Sequence, residues 1–383
     1  MRRAIITGAA DTAVGEVPGS SCMGLHAEAA SAALADAGLK PSDIDGVLCA
    51  YSFTEPHLML ASVFCEYFGI QPAYSAAIHA GGATGCIMAM QAAALVEAGI
   101  CRHVLVVAGD NRLTGLSRDK AVATLADVGH PQFERPYGVT IPALYGLVAQ
   151  AYMHEYGATP EHLAAMAVNS RTHAARNPKA QMRKPITVSD VLASRFIAEP
   201  LRLLDCCLIS DGGAALIVSA ADAARDTAKR PIAVLGTGQK NTHEHLVASP
   251  SLTEFGCRDS AAQAFGRAGV KAADIDVAEI YDSFTITLLV ELESIGFFQK
   301  GEAGPAALAG ALDLGGRLPC NTHGGLMSYA HSGAAGGLFH VVEAVRQLRG
   351  EAEARQVRDA ELAFVHGDGG ILSAHCSLVL GRQ

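Results

Sequence analysis

The sequence predicts an α/β protein in which strands and helices alternate along the chain. Three observations predict this class: short β-branched runs, Ala-rich segments at helical spacing between them, and a second pass through the same alternation near the C-terminus. Half of the 383 residues are hydrophobic, so the chain can bury a sizeable core in two domains or two fused halves. Such an alternation is typical of a buried, mixed sheet.

The individual elements follow from the same patterns, taken in chain order. The strand runs of the first half are RAIITG, DGVLCAYS, HVLVVAGD and AALIVSA. The helical segments between them include LHAEAASAALADAG and GCIMAMQAAALVEAG. The strand runs that follow are PIAVLGTG, VAEIYDS, ELAFVHGDGG and CSLVLG.

An internal repeat indicates that the chain is duplicated. AGLKPSDID at Ala37 to Asp45 recurs as AGVKAADID at Ala268 to Asp276, each after an Ala-rich helix and before an apolar strand. In both copies Ala-Gly is expected to end the helix, because glycine accepts the left-handed conformation found there. The same offset relates Ser52 to Ser283. We therefore predict two halves, residues 1–228 and 229–383.

The first half carries an additional segment between residues 111 and 204. It contains HPQFERPYG, the helix-like IPALYGLVAQAYMHEYG and NPKAQMRKPITVSD. An insertion of this length often covers a site or forms a partner surface. Its Arg183 and Lys184 are candidates to meet an anionic ligand, although solvated surface charge explains them equally well.

Composition excludes several classes of function. A net charge of -9 with scattered Lys and Arg disfavours a nucleic-acid partner. There is no apolar run of about 20 residues, so we expect no membrane segment and a soluble, cytoplasmic protein. The ten cysteines form no CxxC pair, which predicts no metal site and no disulfide framework.

CNTHGGLMSYAHSGAAGG, Cys320 to Gly337, places an Asn, a Gly pair and a His before a stretch of small residues. It resembles the thiolase motif in which these residues form an active-site loop. The matching residues are Asn321, Gly324, Gly325 and His331. A lone histidine is usually structural, but this spacing favours a catalytic His331.

EIYDSF, Glu279 to Phe284, is similar to a second thiolase block, which reads Asn-Glu-Ala-Phe or, in the branch related to sterol-carrier-protein thiolases, His-Asp-Cys-Phe. Tyr281 occupies the position of the catalytic Asn or His. A tyrosine hydroxyl can donate a hydrogen bond to an oxyanion or move a proton. A core tyrosine with a satisfied hydroxyl is the alternative.

The resemblance to the thiolase superfamily covers nearly the whole chain, including LLDCCLISDGGAALIVSA and VHGDGGILS. It implies two duplicated βαβ halves with mixed five-stranded sheets in α/β/α/β/α layers. Many thiolases carry a second reactive cysteine near the C-terminus, where this chain has His366, Gly367 and Asp368. Gly370 is a candidate oxyanion donor through its backbone N–H, and Asn321 is a second candidate.

The nucleophile position departs most from the family. Without a gap, GATGCIMAMQAAALVEAG aligns with the helix that thiolases begin at their nucleophilic cysteine, and Gly82 takes the place of that cysteine. Glycine has no side chain to accept an acyl group, so the nucleophile position is vacant. We assign Gly82 the role of open space or of a backbone N–H donor to an oxyanion.

Three explanations of the missing nucleophile at Gly82 remain open. Cys86 lies one helical turn further on, about 5–6 Å away, which is far for a catalytic atom. Alternatively, the CoA thiolate attacks a β-ketoacyl-CoA directly. Thirdly, retro-aldol cleavage of a β-hydroxyacyl-CoA needs a base and oxyanion donors but no acyl carrier. We favour the last, with Tyr281 and His331 as proton-transfer residues and His323 in support, because thiolase-like steroid side-chain aldolases share the Tyr-Asp-x-Phe block.

The resemblance also implies ligands and partners. We expect coenzyme A as the substrate thioester, with Arg183 and Lys184 as candidate phosphate ligands, and no nicotinamide, because GTGQKN lacks the third glycine of a dinucleotide fingerprint. A homodimer through the first-half sheet and a small zinc-ribbon and OB-fold partner subunit are implied. A non-catalytic acyl-CoA-binding subunit is the rival hypothesis. The acyl group of the substrate stays open.

Overall fold

The structure, a computed structural model, describes residues 3–117, 119–120, 124–125, 127–223 and 229–382. The predicted boundary at residue 228 and several positions of the predicted insertion lie outside the described residues. The strands in the described part are β1 (Ala4–Asp11), β2 (Gly46–Ala50), β3 (Tyr74–Ile78), β4 (His103–Asn111), β5 (Phe196–Ala198), β6 (Leu201–Arg202), β7 (Asp211–Ala220), β8 (Ile232–Asn241), β9 (Val277–Ile280), β10 (Leu362–Gly369) and β11 (Ala374–Arg382).

Helices separate these strands, as the Ala-rich segments predict. They are α1 (Cys22–Ala37), α2 (Leu60–Phe68), α3 (Thr84–Glu97), α4 (Arg112–Gly115), α5 (Ile141–Tyr156), α6 (Pro160–Ala174), α7 (Val188–Ala193), α8 (Cys257–Ala268), α9 (Thr285–Ser294), α10 (Ala303–Leu308) and α11 (Ala335–Arg349). A single turn of π-helix spans Gly325–Tyr329.

The main strands form one mixed sheet in the order β3-β2-β4-β7-β1-β8-β11-β10-β9. The predicted α/β class with a mixed sheet is confirmed, but the sheet is larger than the two five-stranded sheets we expected. The first half contributes five strands and the second half four, and an isolated parallel bridge joins Ala278 to Cys320 beside β9. Strands β1 and β8 connect the halves through the antiparallel pairs Ile5–Ala233 and Ile6–Ile232.

The helices pack in layers around this sheet. Helices α1 and α2 cover strands of the first half on one face. Helices α3 and α11 contact strands of both halves and share one apolar cluster with them. Helix α8 covers β8 and β11 on the far side. The order α/β/α/β/α that the resemblance implies is therefore present, with α3 and α11 as the central layer.

The sequence repeat adopts the same local structure twice. Gly38 and Gly269 end their helices with φ of 71° in both cases. The Lys40 and Lys271 backbone N–H groups each donate to an aspartate three residues later, at 2.8 Å. This capping turn leads the chain into β2 in one copy and into β9 in the other, so the second copy delivers the end of β9 to the site described below.

The predicted insertion packs against the C-terminal half. Helix α6 contacts α10 and the π-turn, and α5 contacts α9. The Arg171 side chain donates to Ser328 Oγ at 2.9 Å, and the Tyr145 hydroxyl donates to Asp368 Oδ2 at 3.0 Å. The described part of this segment therefore braces the loops around the candidate active site.

No helix among the described residues is both long and apolar enough to cross a membrane.

Candidate active site

Tyr281 is the first residue after β9, and backbone bonds fix its position. Its N–H donates to the His366 carbonyl at 3.0 Å. One residue earlier, the Asn321 amide clamps the strand end: its Oδ1 accepts from Ile280 N at 2.7 Å, and its Nδ2 donates to Ile280 O at 2.8 Å. The Tyr281 side chain is 5% exposed. The phenol is therefore held in place from both sides of the strand end.

His331 meets Tyr281 at hydrogen-bond distance. The Tyr281 hydroxyl and His331 Nε2 are 3.0 Å apart. On the other side of the ring, His331 Nδ1 lies 3.1 Å from Cys207 Sγ, and the Leu208 carbonyl also supports a proton on the ring. With that proton on Nδ1, Nε2 accepts the phenolic hydrogen. The sequence spacing thus brings two of the predicted catalytic residues into direct contact.

The pair is neutral at rest. Burial lowers the pKa of His331 to about 3, and the nearby charge of Arg112 acts in the same direction. Burial also raises the pKa of Tyr281 well above its usual value. A neutral imidazole beside a neutral phenol can accept a proton from it and return it, which suits a reversible relay.

The space over Gly82 is filled, not open. A Cβ at residue 82 would lie 2.1 Å from Tyr281 Cζ, 2.2 Å from its hydroxyl oxygen and 2.4 Å from the Asp368 carbonyl oxygen. The expectation of open space at Gly82 is therefore wrong, because the phenol occupies the volume that a side chain would need. A cysteine at residue 82 and Tyr281 in this conformation exclude each other.

Two other sulfurs bear on the nucleophile question. Cys86 is fully buried within α3, and burial followed by the charge of Glu291 raises the pKa of its thiol far above the usual value. That favours packing over nucleophilic attack. The structure brings a different sulfur, Cys207, to His331, and burial raises the pKa of this thiol to about 12. Neither thiol is ionised at neutral pH.

A second layer of ionisable groups lies beneath Tyr281. His323 Nδ1 is 2.9 Å from Glu279 Oε2, and His340 places its two ring nitrogens 3.5 Å from Glu279 and 3.6 Å from Asp282. Burial alone would raise the pKa of Glu279, but His323 and His340 lower it to about 2. Burial lowers the pKa of His340 to about 4. His323, whose pKa Glu279 raises against the effect of burial, forms the cationic half of an ion pair.

His323 therefore lies one layer behind the pair formed by Tyr281 and His331. Its ring packs edge-on against the rings of Tyr329 and His340, at 5.1 and 4.9 Å between centroids. The His340 ring centroid is in turn 6.3 Å from that of Tyr281. A supporting role for His323 thus acts through the charges beneath the phenol and involves no substrate contact.

Asp282 anchors the turn that leads to His331. Its carboxylate accepts from Leu326 N at 2.7 Å, inside the π-turn. Gly325 makes this approach possible, because a Cβ there would lie 2.1 Å from Asp282 Oδ2 and its φ is +60°. Burial raises the pKa of Asp282 to about 7 despite these backbone donors.

Arg112 is a buried cation that the sequence patterns did not single out. It is 6% exposed and its Nε has no hydrogen-bond partner. Its guanidinium carbon lies 5.0 Å from the centroid of the Phe53 ring, and its Cδ packs beside Gly333. Its charge lowers the pKa values of both His331 and Tyr281. Arg112 can therefore stabilise negative charge near the pair.

The predicted oxyanion donors lie in different settings. Both polar atoms of the Asn321 side chain bind the Ile280 backbone, which uses one of the two Nδ2 hydrogens, and its role as an oxyanion donor stays a prediction. Gly370 adopts φ of +68°, and its N atom would lie 2.9 Å from a Cβ on Gly81. The Gly370 backbone thus runs alongside the turn that contains Gly82, and its role as an oxyanion donor stays a prediction.

The predicted phosphate ligands Arg183 and Lys184 are both exposed. Their segment follows Met182, whose N–H donates to the Ser328 carbonyl at 3.0 Å in the π-turn. Arg171 donates to the Lys184 carbonyl at 3.1 Å. The two cations therefore lie on the surface of the segment that borders the active-site loop.

Some functional candidates could be found only from the structure. Cys207, Arg112 and His340 lie outside the two quoted motifs, at separations that no local pattern reveals. Glu279 and Asp282 lie within EIYDSF. Their position beside the candidate catalytic Tyr281 was the feature of the sequence that could have identified them as site residues.

Fold and site together define a thiolase-type α/β enzyme. A family model described as "Thiolase, N-terminal domain" matches residues 4–222, and one described as "Thiolase C-terminal domain-like" matches residues 238–382. The chain belongs to the thiolase family. The predicted membership of that superfamily is thereby confirmed.

The most similar relatives include both acyltransferases and C–C lyases. The chain is 36% identical to "Steroid side-chain-cleaving aldolase" from Thermomonospora curvata, covering 99% of this chain and 98% of the relative. It is 36% identical to "17-hydroxy-3-oxo-4-pregnene-20-carboxyl-CoA lyase" from Mycobacterium tuberculosis, covering 91% and 92%. It is 34% identical to "Acetyl-CoA acetyltransferase" from Methanothermobacter thermautotrophicus, covering 98% and 99%. The chain is thus an enzyme of this superfamily.

A solved structure called "Ltp2-ChsH2(DUF35) aldolase" superposes with a TM-score of 0.88 at 35% identity, covering 99% of this chain and 98% of that one. These relatives confirm the predicted reaction type: cleavage or formation of a C–C bond in an acyl-CoA, with aldol chemistry favoured.

Proposed function

We propose that the protein catalyses retro-aldol cleavage of a β-hydroxyacyl-CoA, giving a carbonyl compound and a shortened acyl-CoA. The observation that carries this proposal is the Tyr281 phenol, which fills the nucleophile position over Gly82 and contacts neutral His331. Thiolysis through an acyl-enzyme needs a side chain that accepts the acyl group. Retro-aldol cleavage needs only proton transfer and stabilisation of an enolate.

The proton relay runs through the contact between Tyr281 and His331. The phenolic oxygen takes the proton of the substrate β-hydroxyl while its own proton passes to His331 Nε2. The freed oxygen electrons form the carbonyl, the Cα–Cβ bond breaks, and its electrons form the thioester enolate. The relay then returns the proton to Cα. The low pKa of His331, about 3, favours that return.

The enolate needs positive charge and N–H donors. Arg112 supplies a buried cation with an unpartnered Nε close to the pair. We propose the backbone N–H groups of Gly82 and Gly370 as the donors to the thioester oxygen, supported by the close approach of Gly370 N to the Gly81 turn. Such donors act most strongly in a site from which water is excluded.

For the substrate we propose the CoA thioester of a branched steroid side chain with a hydroxyl on the β-carbon. The names of two relatives at 36% identity support this choice. Aromatic rings near Arg112 also suit a bulky apolar group, since Tyr51 packs edge-on against Phe53 at 5.2 Å and stacks on His79 at 3.9 Å. Arg183 and Lys184 are proposed to meet the CoA phosphates at the surface.

We also propose two protein contacts. A homodimer would form at β3, the outer strand of the sheet, whose side chains are alternately exposed. The exposed Met59 and Tyr67 lie near this edge, before and on α2. A small zinc-ribbon and OB-fold subunit is proposed as a second partner, supported by the two-component name of the aldolase structure at 35% identity.

The test compares two substrates in parallel. The chain, with and without a candidate partner subunit, is incubated with a β-hydroxyacyl-CoA and separately with the β-ketoacyl-CoA plus CoA. We expect a carbonyl product and shortened acyl-CoA from the hydroxy compound, detected by mass spectrometry. Cleavage of the ketone alone would support thiolysis. Binding without either product would support the non-catalytic rival.

Two variants assign the roles. We expect His331→Ala to lower turnover about 10²- to 10⁴-fold, the usual contribution of acid–base catalysis. Cys86→Ala is the matched control and should leave turnover unchanged, because this thiol is buried in packing. Loss of activity in the Cys86 variant, with folding and CoA binding intact, would overturn the assignment. An acyl adduct on Cys207 during turnover, seen by intact mass spectrometry, would move the chemistry to that sulfur.

A further inference from the structure

A second cluster of imidazoles and carboxylates lies behind the active-site turn. Glu291 projects from α9, His366 and Asp368 from β10, and His375 from β11. Their relative exposures are between 0% and 1%. The proposed reaction uses none of these side chains, and burying four such polar groups is costly unless something binds them.

The separations match the coordination shell of a small cation. His366 Nε2 and His375 Nδ1 are 3.2 Å apart, and Glu291 Oε1 lies 3.5 Å from the first and 4.0 Å from the second. Donors around a tetrahedral ion with bonds of about 2.0–2.2 Å lie roughly 3.3–3.6 Å from one another. Asp368 Oδ1 lies 3.8 Å from His375 Nδ1, beside this group of three donors.

Hydrogen bonds outside the cluster orient the two imidazoles. His375 Nε2 donates to the Leu372 carbonyl at 2.9 Å, so its Nδ1 carries a bare lone pair. Ser260 gives its hydroxyl hydrogen to the Cys257 carbonyl, so Ser377 must be the donor in the 3.0 Å contact between the two serines.

The orientation of His366 follows from that chain. Because the Ser377 hydrogen is used toward Ser260, His366 Nδ1 donates to Ser377 Oγ at 2.9 Å. Its Nε2 then also presents a bare lone pair, toward that of His375. This outer support of ligand imidazoles is the arrangement found around protein metal sites.

The two carboxylates also indicate a bound cation. Both oxygens of Glu291 and Oδ1 of Asp368 are buried without a hydrogen-bond partner. The second oxygen of Asp368 accepts from the Tyr145 hydroxyl at 3.0 Å, which fixes the carboxylate. Three unpartnered oxygens and two facing lone pairs leave a cation as the missing component.

We propose that His366 Nε2, His375 Nδ1 and Glu291 bind a divalent transition-metal ion of the zinc type. The ligand carboxylate of Glu291 and the neighbouring carboxylate of Asp368 together balance the charge of the ion, so the filled site carries no net charge in the core. The ion joins β10, β11 and α9. It thereby supports Asp368, whose backbone carbonyl packs against Gly82.

The cluster of Glu279, His323 and His340 beneath Tyr281 does not need a metal ion to balance its charge. There Glu279 already pairs with the cationic His323 at 2.9 Å, so its charge is balanced without an ion. The sequence prediction of no metal site relied on cysteine spacing. It could not detect three ligands contributed by three different elements.

The test measures metal content in the chain purified without any partner subunit. Because every ligand is buried, the ion must bind before the core closes, so the chain is produced or refolded with Zn²⁺ or Co²⁺. We expect about one equivalent per chain by inductively coupled plasma mass spectrometry, and the visible absorption of tetrahedral Co²⁺. Glu291→Gln and His375→Gln should each lower the content to about a tenth or less.

His26→Gln is the matched control. His26 is another fully buried histidine with one ring nitrogen bonded to a carbonyl and the other unpartnered, and we expect this variant to retain the ion. A wild-type chain that takes up neither ion would overturn the proposal, as would equal metal content in all three variants. If the ligand variants fail to fold, X-ray absorption of the Co²⁺ protein decides: imidazole and oxygen neighbours support the site, whereas sulfur neighbours refute it.

Discussion

The space beside Gly82 can hold either a side chain at residue 82 or the phenol of Tyr281, but not both. In this chain the phenol takes the volume that a side chain at residue 82 would need, and its hydroxyl reaches His331. Under the proposed function, the lack of an acyl carrier at residue 82 and the use of the phenol as a proton carrier therefore depend on each other. A cysteine restored at residue 82 without a change at residue 281 would displace the phenol and recover neither chemistry.

The first prediction tests this dependence. Gly82→Ala should destabilise the fold by about 1–3 kcal/mol through overpacking, and it should lower turnover because the phenol must move. Adding Tyr281→Ala should recover part of the stability but no activity. The measurement is a double-mutant cycle by urea unfolding, with turnover assayed in parallel.

Gly266→Ala serves as the control for that cycle. Gly266 lies within α8 with nothing inside 4 Å of an added Cβ, so the same substitution should stabilise the fold by about 0.4–1 kcal/mol. Strict additivity of the Gly82 and Tyr281 substitutions would show that the two residues do not share one volume.

The second prediction concerns Arg112. Arg112→Met keeps most of the side-chain volume and removes the charge that lowers the pKa of His331, so this pKa should rise. Turnover should fall roughly 10²-fold or more if the guanidinium stabilises the enolate. An NMR titration of the imidazole measures the first effect and a kinetic assay the second. Arg183→Met is the control, because Arg183 is exposed, and it should leave the pKa of His331 unchanged. If Arg112→Met also left the pKa of His331 unchanged, Arg112 would lie outside the site.

At the scale of elements, the end of β9 and the π-turn position the reacting pair. Asn321 clamps Ile280 on one side, and Asp282 holds Leu326 on the other. The strand end thus sets Tyr281 and the turn sets His331. The proton relay depends on both being fixed to within about 1 Å.

The third prediction tests the clamp. Asn321→Ala leaves a buried N–H and a buried carbonyl without partners, so we expect a loss of about 2–4 kcal/mol and a fall in kcat with little change in KM. Asn321→Gly separates backbone strain from the clamp, because Asn321 has φ of +55° and glycine adopts it freely. The glycine variant should still lose kcat. Full activity in it would contradict the positioning role.

Much of this element structure could be predicted from the sequence. The repeated capping turns and the strands follow from local spacing and are present as expected. The pairing of β1 with β8 could not be predicted from the sequence. It consists of only two residue pairs, and the partners in each pair are more than 220 positions apart in the chain. Arg112 and Cys207 reach the site through tertiary packing, which no local period encodes. The clamp of the Asn321 amide on Ile280 could not be predicted either, because it requires knowledge of where β9 ends.

At the scale of the whole molecule, the core contains neutral histidines that acid must protonate. The pKa of His331 is lowered from 6.5 to about 3 and that of His340 from 6.5 to about 4, mainly by burial. Between pH 6.5 and these lowered pKa values, the two histidines bind protons in the unfolded chain but not in the folded chain. Their contribution to stability is therefore complete above pH 6.5 and declines as the pH falls. Asp282 opposes this trend, since its raised pKa makes acid stabilising.

The fourth prediction follows from that linkage. His340→Gln should flatten the dependence of unfolding free energy on pH between about 6.5 and 4, by up to about 1.4 kcal/mol per pH unit. Asp282→Asn should steepen it. Urea unfolding at several pH values measures both slopes. His154→Gln, at an exposed histidine, is the control. A slope for His340→Gln equal to that of the wild type would mean that His340 is not held neutral in the core.

The most direct test of the central claim is turnover of a β-hydroxyacyl-CoA in deuterium oxide. If the Tyr281–His331 relay moves the proton, the shortened acyl-CoA should carry one solvent deuterium at its α-carbon, the carbonyl product should appear in equal amount, and Tyr281→Phe should abolish both. Shortened acyl-CoA formed only from a β-ketoacyl-CoA and free CoA, at an equal rate in Tyr281→Phe, would contradict the account.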